Sequence, residues 1–248
     1  MTKAILVTGG SRGIGRAACL LAAQRGWSVG VNYVKDKAAA EATVAEAERL
    51  GGKAVALPGD VSRESDVIAM FDGAVKALGP LDGVVINAGI VAPTARLVDM
   101  SVERMRRVFE VNVLGAYICA REAARRMSRS LGGRGGSIVL ISTVASRIGG
   151  ADVYVDYAGS KGAIDTLTLG LSKELGREGV RVNAIRPGLV DTEIHATGGE
   201  PDRARRLGAT APLGRPAAPQ EIGEAIVWLL SDASSYASGA IIDIAGGR

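Results

Sequence analysis

Apolar residues follow two alternating rhythms along the chain. Short β-branched runs predict strands at Lys3–Thr8, Ser28–Tyr33, Ala54–Leu57, Gly83–Asn87, Ser137–Ser142, Val180–Arg186 and Ala240–Ile244. Between them, apolar residues three and four apart predict helices over Ile14–Gly26, Lys37–Leu50, Glu64–Leu78 (capped by Ser62), Val102–Met127, Tyr154–Glu178 and Gln220–Ser231. Strands such as Ile138–Ile141 are apolar without alternation, so both of their faces must be buried. Right-handed helical crossovers between such strands give an α/β fold, a doubly wound seven-stranded parallel sheet with helices on both faces. No linker or repeat divides the pattern, so residues 1–248 read as one domain. The stretch Asp191–Pro219 breaks the rhythm with Gly, Pro and Arg. It is too long for an ordinary connection and predicts a lid.

Composition narrows the function classes. With 47% hydrophobic but only 4% aromatic residues, the core must be aliphatic and closely packed. Thirty basic against 26 acidic residues leave a net charge of +4, too little to argue for a nucleic-acid partner. Cys19 and Cys119 lie in apolar helical stretches and read as small buried hydrophobes, not a disulfide framework. One histidine and two distant cysteines cannot build a zinc site, so no metal is expected. No run approaches the ~20 apolar residues of a membrane helix, and Ala4–Val7 is too short for a secretory signal. The expectation is a cytoplasmic protein. Glycine, at 34 residues, is about twice its usual share without a collagen-like period, so the positions of the glycines carry the information.

They cluster where the first strand meets the first helix, in Gly9-Gly10-Ser11-Arg12-Gly13-Ile14-Gly15. Glycines allow a sharp turn, and the missing Cβ atoms let a pyrophosphate approach the helix N-terminus, whose free N–H groups and dipole favour negative charge. At the first strand-to-helix turn of an open α/β sheet, this reads as a dinucleotide site. The second strand bears on which dinucleotide. A carboxylate there would bond the 2′-hydroxyl of NAD, whereas basic residues would accept the 2′-phosphate of NADP. The strand ends in Asn32-Tyr33, which are expected to contact the dinucleotide, and the next acid is Asp36, beyond Lys35. With Arg12 and Lys35 able to reach a phosphate, NADP(H) is favoured and NAD(H) stays possible.

A second constellation is Tyr157-Ala158-Gly159-Ser160-Lys161, which places a phenol and an ammonium on one helix face. A tyrosine near its ordinary pKa of ~10 is a poor base at neutral pH. A neighbouring cation favours the phenolate, so Lys161 with an oxidised nicotinamide would bring Tyr157 toward a working range. Tyr154 has Ala158 at the corresponding spacing and reads as a pocket or packing residue.

Taken together, Thr8-Gly9-x3-Gly13-Ile14-Gly15, Asn87-Ala88-Gly89, Asn112, Ser142-Thr143, Tyr157-x3-Lys161 and Pro187-Gly188 come in one order along the whole chain. In this the chain resembles the short-chain dehydrogenase/reductase family, a single-domain Rossmann fold. Within it, the branch resembled is that of bacterial 3-oxoacyl-carrier-protein reductases and sugar dehydrogenases. The resemblance implies Tyr157 as general acid/base and Lys161 as the residue that lowers its pKa and bonds the nicotinamide ribose. It implies Asn112 as holder of a relay water and Thr143 as the hydroxyl that polarises the carbonyl. Thr143 stands where the family usually has serine, one residue farther from Tyr157 than usual, so Ser142 stays open as the working hydroxyl. By position, Asp60 and Val61 would bracket the adenine, and Asn87, Ala88, Gly89 and Ile90 would line the ribose. Pro187, Gly188, Val190 and Thr192 would meet the nicotinamide amide, and Ser11, Arg12 and Ile14 belong with the glycine turn. Asp60 also reads as a turn residue, and Asn87 as a bridge between strands. A homotetramer is expected from the same resemblance.

The remaining features read more plainly. His195 fits a pocket wall or solvated side chain better than a catalytic group. Arg203, Arg205 and Arg206 read as a solvated face, with an anionic substrate such as a carrier protein as the alternative. The run Gly132–Gly136 precedes a strand and reads as a loop at the far edge of the sheet. The function expected is an NADP(H)-dependent oxidoreductase acting on a carbonyl or alcohol of a small-molecule substrate. A 3-oxoacyl-carrier-protein reductase is the nearer alternative, and a non-catalytic dinucleotide-sensing regulator the remoter one.

Overall fold

The computed structural model describes residues 2–248, apart from the side chain of His195. The predicted alternation is present: β1 (Ala4–Val7), α1 (Gly13–Gln24), β2 (Ser28–Tyr33), α2 (Lys37–Arg49), β3 (Ala54–Pro58), α3 (Glu64–Leu78) and β4 (Gly83–Ile86). The chain continues through α4 (Val102–Phe109), α5 (Gly115–Met127), β5 (Gly136–Ile141), α6 (Ala145–Ile148), α7 (Val155–Leu175) and β6 (Val180–Pro187). It closes with α8 (Ile194–Thr197), α9 (Arg203–Gly208), α10 (Pro219–Leu230) and β7 (Ile241–Ile244). All seven strands pair in parallel, in the order β3-β2-β1-β4-β5-β6-β7. The chain winds outward from β1 to β3, then restarts at β4 on the other side of β1. That reversal opens a crevice at the carboxyl ends of β1 and β4, where open α/β sheets bind their ligands.

Alternate residues of each buried strand feed two cores. From β1, Ile5 and Val7 pack with Cys19, Ala22, Ile222 and Ile226, so α1 and α10 cover one face. Leu6 packs with Phe71, Cys119 and Ile164, so α3, α5 and α7 cover the other. Double-sided burial is why the strand sequences do not alternate. Both cysteines are free and fully buried. Burial pushes the Cys119 thiol up to about 12 and raises that of Cys19 further, so neither is poised as a nucleophile.

Local departures from the expected elements have physical causes. The single helix expected over Val102–Met127 is interrupted by a π-helical turn at Glu110–Leu114, which contains Asn112. Ser62 does not cap α3; Arg63 stands at that position, and the Ser62 hydroxyl donates to Asp60 Oδ1 at 2.7 Å. The stretch 191–218 holds α8 and α9 and is tied back by a Val190–Ala217 bridge and by Leu213 N donating to Gly246 O. Helix α10 starts at Pro219, whose missing N–H has no partner to lose there, and the Glu221 carboxylate accepts from Ala218 N at 2.8 Å. The run Gly132–Gly136 leads into the amino end of β5, away from the crevice. Among the described residues no helix is long and apolar enough to cross a membrane.

Candidate active site

The glycine turn is built from backbone geometry that only some residues allow. Gly9 and Gly13 have positive φ, +62° and +54°. A Cβ on Gly15 would stand 2.2 Å from the Gly9 carbonyl oxygen, so the first turn of α1 closes on β1 only because that atom is absent. Beneath the turn, Gly9 N donates to Asn32 Oδ1 at 3.0 Å, and Asn87 Nδ2 donates to Thr8 O at 2.9 Å and Gly9 O at 3.1 Å. The Thr8 hydroxyl accepts from Asn87 N and Ala88 N. Asn87 is thus the strand bridge, while also lining the cavity beside Gly89. The Ser11 carbonyl accepts from Thr43 Oγ1, which fixes the turn to α2.

The second strand supplies support where contact was expected. Asn32 is fully buried, and its amide donates to Leu57 O at 3.2 Å and Gly59 O at 3.0 Å. With Gly9 N on its oxygen, that side chain braces three strand ends and is not free to hold a ligand, which corrects its expected role as a direct contact. Tyr33 is half-buried, and its carbonyl accepts from Gly59 N. Asp36 caps α2 by accepting from Ala39 N at 2.9 Å, so it too is engaged. Arg12 and Lys35 are exposed, and no ion pair or side-chain hydrogen bond engages either among the described residues. Asp60 receives Ser62 N and Oγ on one oxygen and Arg107 Nη2, at 3.2 Å, on the other. Burial alone would raise its pKa, but these hydrogen bonds and the Arg107 charge outweigh that and lower it. Asp60 is therefore first a turn residue, and the neighbouring Val61 packs against Gly115.

Beyond the turn lies a cavity of about 310 Å³ into which the second constellation points. Tyr157 lines it half-buried, with the Thr143 side chain near enough to its hydroxyl to act on the phenol. Burial pushes Tyr157 up to about 12, the Thr143 bond opposing and the nearby Tyr154 adding to the rise. Lys161 is 4% exposed; its ammonium donates to Ile141 O at 2.7 Å and stands 6.0 Å from the centre of the Tyr157 ring. Burial pulls Lys161 down to about 8, while Asp165, one helical turn on, works against the fall. Ser142 instead donates to the Lys161 carbonyl at 3.2 Å and is 2% exposed. Of the two hydroxyls, only that of Thr143 acts on the Tyr157 phenol. A Cβ on Gly89 would lie 3.4 Å from the Lys161 ammonium nitrogen and 3.2 Å from Asn112 Oδ1, so Gly89 sits close against both.

Asn112 is 1% exposed, and both ends of its amide are engaged. Its oxygen accepts from Ile90 N at 2.8 Å, and its nitrogen donates to Ile90 O and to Ser160 Oγ, the last at 3.1 Å. The side chain therefore locks the π turn to the strand end after β4 and to α7. Pro187, Gly188, Val190 and Thr192 line the cavity with Ile14. Thr192 lies against the glycine turn, 3.3 Å from where a Gly13 Cβ would stand. The His195 side chain lies outside the described residues.

Four residues close to the site were not singled out in the sequence. Asp156 is buried, accepts from Tyr157 N at 2.9 Å and pairs with Arg104 at 2.8 Å, orienting the first turn of α7. Asp165 receives Arg186 at 2.8 Å. Its spacing of four from Lys161 is a signal that sequence alone offers. The others depend on contacts between distant segments, which spacing does not reveal.

Comparison with known proteins places this geometry. Residues 9–248 match the family model described as Enoyl-(Acyl carrier protein) reductase. The chain is 50% identical over 243 residues to the uncharacterized oxidoreductase YgfF of Escherichia coli (strain K12), covering 98% of each. It is 38% identical over 246 residues to an L-rhamnose 1-dehydrogenase (NAD(P)(+)) of Sphingomonas sp. (strain SKA58), covering 99% of this chain and 95% of that one. The crystal structure of acetoin dehydrogenase YohF from Salmonella typhimurium superposes with a TM-score of 0.87 at 32% identity, covering 100% of this chain and 97% of that one.

The buried phenol makes a first prediction. Because burial disfavours the anion, Tyr157 keeps its proton in the ligand-free protein until the pH approaches about 12, beyond the ~10 of an ordinary tyrosine. Ultraviolet phenolate absorbance, taken as the difference between wild type and Tyr157→Phe during alkaline titration, measures it. A Tyr157 phenolate appearing below pH ~10 contradicts the burial argument.

Proposed function

The chain belongs to the short-chain dehydrogenase/reductase family, and we propose that it exchanges a hydride between NADP(H) and a small carbonyl or alcohol substrate, with Tyr157 as general acid/base. As a member it is an oxidoreductase acting on alcohol and carbonyl groups with NAD(P). The finer reading is carried by the meeting of the Tyr157 hydroxyl, the Thr143 hydroxyl and the Lys161 ammonium at one cavity next to the glycine turn.

The residues present fit the dinucleotide: the turn leaves room at the N-terminus of α1 only where Cβ atoms are missing. The bound nicotinamide supplies the hydride in reduction and takes it up in oxidation. Everything else falls to side chains. The Thr143 hydroxyl donates a hydrogen bond to the substrate oxygen and fixes it against Tyr157. Tyr157, protonated in the free protein, gives that oxygen its proton in reduction and recovers one in oxidation. With a pKa of about 8, Lys161 still carries its proton at neutral pH, so its charge faces the phenolate left behind and lowers the cost of forming it. Ser142 and Asn112 position this group through α7 and the π turn without touching the substrate.

NADP(H) over NAD(H) rests on the charges around the adenosine end. Arg12 is exposed beside the turn with a free guanidinium, and the first acid after β2, Asp36, is committed to capping α2. The substrate end is walled by Val91, Ile148, Val153 and Ile194, which suits a compact apolar ketone better than a polyol needing many hydrogen-bond partners. For an acyl-carrier-protein substrate, the sequence offered the basic run in the lid, of which only Arg205 and Arg206 face outward. Assembly into a homotetramer is supported by exposed apolar side chains on α4, α5 and α10: Phe109, Tyr117 and Trp228.

Three measurements decide these points. Tyr157→Phe should lower kcat by about 10²–10⁴-fold on a panel of ketones, aldehydes, sugars and an acyl-carrier substrate, and unchanged turnover refutes the acid/base assignment. Arg12→Ala should weaken NADPH binding roughly tenfold to a hundredfold, the loss of a charge-assisted bond, while leaving NADH binding nearly untouched; equal effects on both remove Arg12 from cofactor choice. Sedimentation should give a tetramer at micromolar protein, and a monomer alone overturns that assembly.

A further inference from the structure

At the substrate end of the cavity, two side chains stand in a relation that hydride transfer does not require. Tyr154 meets Tyr157 edge to face, with ring centres 6.1 Å apart and planes at 73°. Tyr154 is 7% exposed, and its buried hydroxyl has no hydrogen-bond partner in the fold. Phenylalanine would serve equally as an aromatic wall; a hydroxyl taken out of water without a partner is tolerated where something else bonds it. Over the same ring lies the guanidinium of Arg203, 4.8 Å from its centre, on a side chain only 15% accessible. One nitrogen of that guanidinium bonds Glu200 Oε1 at 3.1 Å; the others are free. Glu200 is shared with Arg206, so two positive charges face one negative charge. Among the described residues, the charged side chains lining the cavity are Lys161, Arg203 and Arg248, with no acid beside them.

We propose that Arg203 and the Tyr154 hydroxyl form a subsite for a carboxylate carried by the substrate. The enzyme then acts on ketones or alcohols that bear a carboxylate on a compact apolar frame. A guanidinium held over an aromatic ring keeps a fixed fork of N–H donors, which suits a carboxylate. The Tyr154 hydroxyl adds a donor within the same wall. Tyr157 and Tyr154 are neighbours, so the reacting oxygen and the carboxylate lie on opposite sides of a frame about as broad as a six-membered ring. The subsite rests on the acid/base reading of Tyr157, which fixes where the reacting oxygen sits.

The test compares 4-oxocyclohexanecarboxylate with its methyl ester under NADPH, in wild type, Arg203→Gln, Arg203→Lys and Tyr154→Phe. Wild type should prefer the carboxylate at least about tenfold in kcat/KM, through KM. Arg203→Gln should bring the ratio near one, Arg203→Lys should restore part of it, and Tyr154→Phe should reduce it less. Calorimetric binding of unreactive cyclohexanecarboxylate should weaken by a similar factor in Arg203→Gln. A wild-type ratio near one overturns the proposal. So does a variant that slows both ketones alike, or one that weakens NADPH binding while keeping the ratio, since the guanidinium would then serve the fold or the cofactor. If neither ketone is reduced, Arg203-dependent binding of the probe sustains the subsite and places the failure in the acid/base reading. Binding that is absent, or indifferent to Arg203, removes the subsite itself.

Discussion

Where parallel strands end, their last N–H and C=O groups lose their partners, and at the mouth of a doubly wound sheet this happens on several strands at once. In this protein the amide of Asn32 closes that gap. Its oxygen takes Gly9 N and its nitrogen serves the carbonyls of Leu57 and Gly59, so the ends of β1, β2 and β3 are tied through one fully buried side chain. Thr8 and Asn87 do the same between β1 and β4. The glycine turn can hold positive φ and a close approach of Gly15 to Gly9 because its underside is fixed in this way. Cofactor site and catalytic site share that anchor, since Gly89 lies two residues after Asn87 and sits against Lys161 and Asn112.

Above the anchor, desolvation governs the chemistry. Burial pushes Tyr157 up and Lys161 down, so it works against the charged form of each. A lone phenolate at that depth would be strongly disfavoured, and a lone ammonium nearly so. Their proximity offsets both penalties at once. Asp165 supports the ammonium, but its carboxylate is also held by Arg186, which in turn faces Asp243. Burial outweighs that support, which is how Lys161 can lie beside an acid and still have a lowered pKa. A Lys161 paired more tightly would keep its proton more firmly and give up less of its field to Tyr157.

The parts legible in the sequence were those set by local rules. Strand and helix alternation, the parallel sheet and the glycine turn follow from periodicity and from what glycine permits. The Tyr157–Lys161 pair follows from helical spacing. What escaped depends on segments distant in the chain. Nothing near Asn32 announces that its partners are Gly9, Leu57 and Gly59, so a polar residue at a strand end read as a ligand contact. Nor does anything near Asn112 announce that its amide ties Ile90 to Ser160. The π turn around it has no spacing signature, because it extends an otherwise continuous helical pattern by one residue. Ser142 and Thr143 were inseparable by position; the strand end turns one toward the Lys161 backbone and the other toward Tyr157.

The arginines of α9 show the same limit where it bears on specificity. Arg203, Arg205 and Arg206 read as one solvated face. In the fold, Ala204 and Gly208 point into the protein, and neither is large enough to give the helix a recognisable apolar side. The inward direction is set by these two small residues, and it brings Arg203 beside Tyr154 while Arg205 and Arg206 stay outside, at 75% and 61% accessibility. A run of like charges is thus divided between cavity and solvent by residues that carry no charge. Cofactor chemistry is fixed by the rigid sheet edge, whereas the substrate is selected by a short helix whose orientation depends on the packing of an alanine and a glycine. Substitutions at Ala204 or Gly208 would therefore move the charge of the cavity without touching a polar residue.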